Sequence, residues 1–70
     1  MEKIHLIGIG GSGLSAIARL LLEMGYSVSG SDRVDTPFIS DLRSLGASIM
    51  IGHQPENIAG ADLIVRSSAI

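Results

Sequence analysis

The chain has 70 residues, 46% of them hydrophobic and 17% charged, with a formal net charge of −2. This is one small domain, apolar enough to fold, and its few cations (Lys3, Arg19, Arg33, Arg43 and Arg66) are scattered rather than massed as a nucleic-acid footprint. The absence of cysteine excludes disulfides, thiolate metal sites and a cysteine nucleophile; no run approaches the ~20 apolar residues of a bilayer span, so neither signal peptide nor membrane anchor is expected and the cytoplasm is the expected compartment.

Lys3 to Ile9 is a short apolar run ending in glycines and reads as a buried first strand. From Ser12 to Met24, Leu14, Ile17, Ala18, Leu21 and Leu22 recur at helical spacing, with Ser15, Arg19 and Glu23 on the opposite side. Gly25 suits the left-handed residue that stops such a helix, and Tyr26 to Asp32 follows as a second strand. Thr36-Pro37 starts a second helix, because a threonine hydroxyl can cap free amides and proline is tolerated at the first helical position. That helix is predicted over Pro37 to Leu45, with Phe38, Ile39, Leu42 and Leu45 on one stripe and Gly46 as its stop. Ala47 to Ile51 is a third strand ended by Gly52-His53. Pro55 to Gly60 is a connection with at most one helical turn, and Asp62 to Arg66 is a fourth strand around Leu63, Ile64 and Val65.

The alternation implies an α/β fold: a Rossmann-like parallel sheet of about four strands in the order 3-2-1-4, joined by right-handed crossovers with flanking helices. With no fifth strand and nothing to cover the fourth, the chain reads as a truncated half of a doubly wound domain.

Gly8-x-Gly10-x-x-Gly13 falls between a predicted strand and a predicted helix, the context in which this pattern points to a phosphate site. Gly8 would make the tight turn, Gly10 would let the backbone approach a pyrophosphate, and Gly13 would let the helix pack closely on the sheet. Gly11 and Ser12 complete the loop, and the helix N-terminus presents unpaired amides to an anion. A loop that cleaves ATP would need a lysine, and the first basic residue is Arg19. Asp32, nineteen residues after Gly13, stands where a carboxylate accepts from ribose hydroxyls; the plainer reading is a turn aspartate. Arg33 beside it reads as a solvated loop residue. His53 follows the third strand and Ser67 and Ser68 the fourth, all at the ligand edge, though lone histidines and loop serines are commonly structural. His5, inside the first strand, reads as structural. No carboxylate pair, metal cluster or nucleophile-base arrangement is present, so a self-contained active site is not expected.

The stretches His5 to Ala18, Gly25 to Asp32, Gly52-His53 and Ser67 to Ile70 together resemble the N-terminal domain of the Mur ligases that join L-alanine to UDP-N-acetylmuramate. The likeness runs the whole chain, with Ser12 and Leu14 standing where isoleucine and methionine are common in that family. It implies that Gly8 to Gly13 holds the diphosphate of UDP-N-acetylmuramate, that Asp32 and His53 contact the uridine, and that Ser67 or Ser68 lies near the phosphates. It also implies ATP-dependent amide formation through an acyl phosphate in peptidoglycan biosynthesis, with the ATP, magnesium and L-alanine sites in central and C-terminal domains outside this chain. On that basis the chain alone should bind and not turn over. Two other classes fit the glycine loop: an NAD(P)-binding domain of an oxidoreductase, which would use the same loop and Asp32, and a nucleotide-sensing regulatory module. His53 and the serine pair favour the ligase.

Overall fold

In the computed structural model, which describes residues 2–52 and 60–66, six elements follow one another: β1 (Lys3–Ile7), α1 (Ser12–Glu23), β2 (Ser27–Asp32), α2 (Pro37–Ser44), β3 (Ser48–Ile51) and β4 (Leu63–Arg66). All strand pairs are parallel and the sheet order is β3-β2-β1-β4, as the alternation predicted. β1 ends two residues earlier than expected. Gly8 turns the chain at φ +88, and the amides of Gly8 and Ile9 then both reach Ser31 O (2.8 and 3.2 Å). Gly25 and Gly46 also have positive φ (+93 and +108), which stops both helices where glycine was expected to stop them.

Register decides which residues meet. Ile4 and Leu6 of β1 pair with Val28 and Gly30 of β2, and Gly30 pairs with Ile49 of β3. These positions share one face of the sheet, where Ile9, Leu14, Ala18, Ile39, Leu42 and Ala47 complete a buried core. Gly30 is fixed by packing, because a Cβ there would lie 2.5 Å from Ile9 Cδ1 and 2.8 Å from Leu6 O. The glycine leaves the hole that Ile9, the buried residue inside the loop, fills.

The helices bury narrower stripes than their periodicity suggested. Ile17 of α1 is 46% exposed, while Ser15, assigned to its polar side, is buried and donates its hydroxyl to Ser12 O (3.1 Å). On α2, Ile39 and Leu42 are buried but Phe38 and Leu45 are each 46% exposed. For α2 the physical reason is that it packs against α1 as well as on the sheet, so Phe38, Leu42 and Leu45 line a shallow groove between the helices with Ala16, Arg19 and Asp41.

His5 lies on the other face of β1, opposite Ser29, and is 1% exposed. Its Nδ1 and Ser29 Oγ are 2.8 Å apart, and Nε2 has no partner among the described residues. Burial holds its pKa below the ordinary 6.5, because the imidazolium would be desolvated. The structural reading of His5 fits these surroundings.

Two measurements test this packing. Gly30→Ala is expected to lower stability by about 1–3 kcal/mol through overpacking against Ile9, read as a shifted urea midpoint. Because the folded state resists a proton that unfolded His5 accepts near pH 6.5, its contribution is intact above that pH and is lost as pH falls through it toward the lower folded value. His5→Gln should therefore flatten the pH dependence of the unfolding free energy between about pH 7.5 and 5.5.

Candidate functional site

The glycine loop sits at the carboxyl edge of the sheet, beside β1, where strand order reverses between the β1-β2-β3 run and β4; this is the place where open α/β sheets receive ligands. The ends of the neighbouring strands meet there. Ile7 pairs with Arg66 of β4, Ile7 also pairs with Ser31 of β2, and Asp32 pairs with Ile51 of β3. Gly52, at φ +107, donates its amide to Asp32 O (2.7 Å) and keeps the end of β3 on the same edge.

Amide by amide, the loop divides in two. Gly8 N and Ile9 N donate to Ser31 O, Gly10 N donates to Asp32 Oδ2 (2.8 Å), and Gly11 N donates to Gly8 O (3.1 Å). Four successive N–H groups are thus committed inside the protein. Gly11 is the N-cap of α1, with extended φ −73 and ψ 156, and its carbonyl takes the first helical bond from Ser15 N (2.9 Å). No side chain caps this end. The amides of Ser12, Gly13 and Leu14 therefore precede the first helical bond and have no partner among the described residues, as helix geometry dictates for an uncapped first turn. Ser12 and Gly13 are exposed, and a Cβ built on Gly13 would meet nothing within 4 Å. Three N–H groups without partners at the positive end of a helix, with open space beside Gly13, are the kind of surface that accepts an anion.

This geometry revises several roles expected from spacing. Gly13 does not bring the helix close to the sheet, since the space beside it is open. Gly10 is required by the protein itself: a Cβ there would lie 2.9 Å from Asp32 Oδ2, 3.1 Å from Thr36 Oγ1 and 3.1 Å from Ile39 Cδ1. Gly8 and Gly11 build the loop, and their amides are already engaged. Asp32 is a loop clamp, with Oδ2 on Gly10 N and Oδ1 accepting from Val34 N at 3.3 Å. The plainer reading of Asp32 as a turn aspartate thus describes what it does within the fold.

Thr36 departs furthest from expectation. It occupies the N-cap of α2, yet its hydroxyl makes no cap bond and donates instead to Gly10 O (3.0 Å), while its carbonyl accepts from Ile39 N (3.0 Å). The Thr36-Pro37 pair located the helix start correctly but carried no sign of a partner 26 residues away. His53, Ser67 and Ser68 lie outside the described residues, so their predicted place at this edge gains no geometry. Among the described residues no three His, Asp or Glu side chains gather as metal ligands, and no helix is long and apolar enough to cross a membrane.

Residues 3–70 match the sequence model described as Mur ligase family, catalytic domain. Over all 70 residues the chain is 56% identical to a UDP-N-acetylmuramate–L-alanine ligase of Sulfurihydrogenibium sp. and 50% identical to one of Legionella pneumophila, and it spans 15% of the length of each. Among solved structures, a UDP-N-acetylmuramate-alanine ligase of Thermotoga maritima superposes on the whole chain with a TM-score of 0.92 at 37% identity, the chain covering 16% of it. A murein peptide ligase of Psychrobacter arcticus gives 0.91 at 29%, with 15% of that chain covered.

If Asp32 clamps the loop, Asp32→Ala leaves the Gly10 amide buried without its acceptor. The expected cost is about 1–3 kcal/mol, together with faster hydrogen exchange at Gly10 than at the core amides of β1; unchanged exchange at Gly10 would contradict the clamp.

Proposed function

Because the chain belongs to the Mur ligase family, we propose that it is the part of a UDP-N-acetylmuramate–L-alanine ligase that seats the diphosphate of the UDP-sugar substrate. The observation that carries this reading is the division of the glycine loop: Gly8 to Gly11 bind their amides internally, while the amides of Ser12, Gly13 and Leu14 at the start of α1 have no partner among the described residues. A diphosphate suits that surface, since its oxygens accept several N–H bonds at once and its charge meets the positive end of the helix dipole. The relatives' names supply the sugar nucleotide and the amino acid. Asp32 Oδ1, which among the described residues accepts the longer bond from Val34 N, keeps acceptor capacity for a ribose hydroxyl, and His53, Ser67 and Ser68 are assigned to the uridine and phosphate contacts that the resemblance implies.

The chain spans 15% of the length of these relatives, so the reaction belongs to the whole protein. In that reaction ATP would transfer its terminal phosphoryl group to the lactyl carboxylate of the sugar with release of ADP, and the amine of L-alanine would displace phosphate from the acyl phosphate; magnesium would supply charge neutralisation on the phosphoryl group. The described residues do not fit an ATP or magnesium site: the loop has no lysine and no acidic cluster accompanies it. We assign those ligands, and L-alanine, to the parts of the longer relatives beyond the matched segment. The role left to this segment is to bind and orient one substrate.

Parallel titrations of the labelled chain with UDP-N-acetylmuramate, UDP, NAD and ATP test the reading. The amides of Ser12, Gly13 and Leu14 are expected to move at the lowest concentrations of the uridine nucleotides. Movement at lower concentrations of NAD would return the site to the dinucleotide class.

A further inference from the structure

We infer that Thr36 is a positioning residue for the diphosphate site: its hydroxyl, by holding Gly10 O, sets the direction in which the amides of Ser12 to Leu14 point. The inference rests on the diphosphate reading above and extends it to a residue outside the glycine loop.

Gly10 is buried, and side chains from the last residue of β2 and the N-cap of α2 hold it on both polar sides. Asp32 Oδ2 takes its N–H at 2.8 Å, Thr36 Oγ1 donates to its carbonyl at 3.0 Å, and Ile39 closes a third side. The carbonyl of Gly10 lies in the same rigid peptide plane as the N–H of Gly11. That N–H is itself held by Gly8 O, so the plane is pinned at both ends. Gly11 is the residue from which α1 begins. A rotation of this plane would reorient the first turn of the helix and its three unpartnered amides with it.

Thr36 serves this purpose against its local interest. An N-cap threonine ordinarily turns its hydroxyl onto the amides of its own helix, and α2 is left without a side-chain cap because the hydroxyl is directed to the loop. A residue that breaks a local rule for a distant contact is expected at a functional site rather than in an ordinary turn. Asp32 is a less clean probe, since it also holds the turn through Val34 N. Thr36 makes one side-chain hydrogen bond, to Gly10, and its backbone bond from Ile39 N survives substitution.

The test compares the wild-type chain with Thr36→Val and Thr36→Ser, each titrated with UDP and with uridine while amide shifts are followed and thermal unfolding is recorded. Thr36→Val should bind UDP about fivefold more weakly, the worth of one typical hydrogen bond, with uridine affinity changed less than about twofold because uridine carries no phosphate for these amides to hold. Thr36→Ser, which retains the hydroxyl, should restore UDP binding. Equal UDP affinity in wild type and Thr36→Val, equal loss of UDP and uridine, or failure of serine to rescue would each overturn the inference. Should Thr36→Val not fold, Thr36→Ala makes the same two-ligand comparison, since α2 has no side-chain cap bond to lose. Wild-type amides of Ser12 to Leu14 that ignore UDP would instead overturn the reading of the site.

Discussion

The hydrogen bond from Gly10 N to Asp32 Oδ2 joins the loop after β1 to the last residue of β2, and the rest of the site depends on it. It is charge-assisted and partly buried, which makes it stronger than a neutral bond of the same length. Because it fixes Gly10, it also fixes where Ile9 enters the core, and Ile9 fits only because position 30 has no side chain. Loop, sheet and helix start are therefore parts of one packing problem. A substitution at Gly30 or Asp32 acts on the ligand edge through the same contacts that hold the fold together.

The commitments of the loop amides also distinguish two jobs that a glycine-rich motif combines. The first half of the motif, Gly8 to Gly11, satisfies its own backbone and shapes the chain. The second half, Ser12 to Leu14, is left open by helix geometry. Glycine is required in the first half by a positive φ at Gly8 and by close approach at Gly10. Gly13 meets neither requirement within the chain, and the space beside it is open.

The strand and helix order was legible because apolar periodicity and glycine stops agree along the described residues: Gly8, Gly25, Gly46 and Gly52 all have the positive φ that ends an element. The place of the uncapped helix start was legible for the same reason, since it follows from a strand, a glycine turn and a helix in succession. Contacts between distant segments were not. Nothing near Thr36 distinguishes a hydroxyl that caps α2 from one that reaches Gly10, and nothing near Ser15 announces its burial. Likewise Phe38 and Leu45 obey helical spacing but line a groove where the two helices meet, and Ile17 obeys it yet stays half exposed. Periodicity finds the apolar side of a helix; the width that becomes buried depends on its neighbours.

The self-contained bonding of the loop has a thermodynamic corollary. Gly8 to Gly11 already have their partners within the protein, so an anion bound at the helix start would ask for little ordering of the loop backbone. The same rigidity limits discrimination. Three fixed amides recognise charge and oxygen spacing common to many phosphorylated molecules, so selectivity among them must come from contacts made away from the phosphates. A pre-shaped anion seat of this kind can be kept unchanged while the groups around it come to serve different nucleotides.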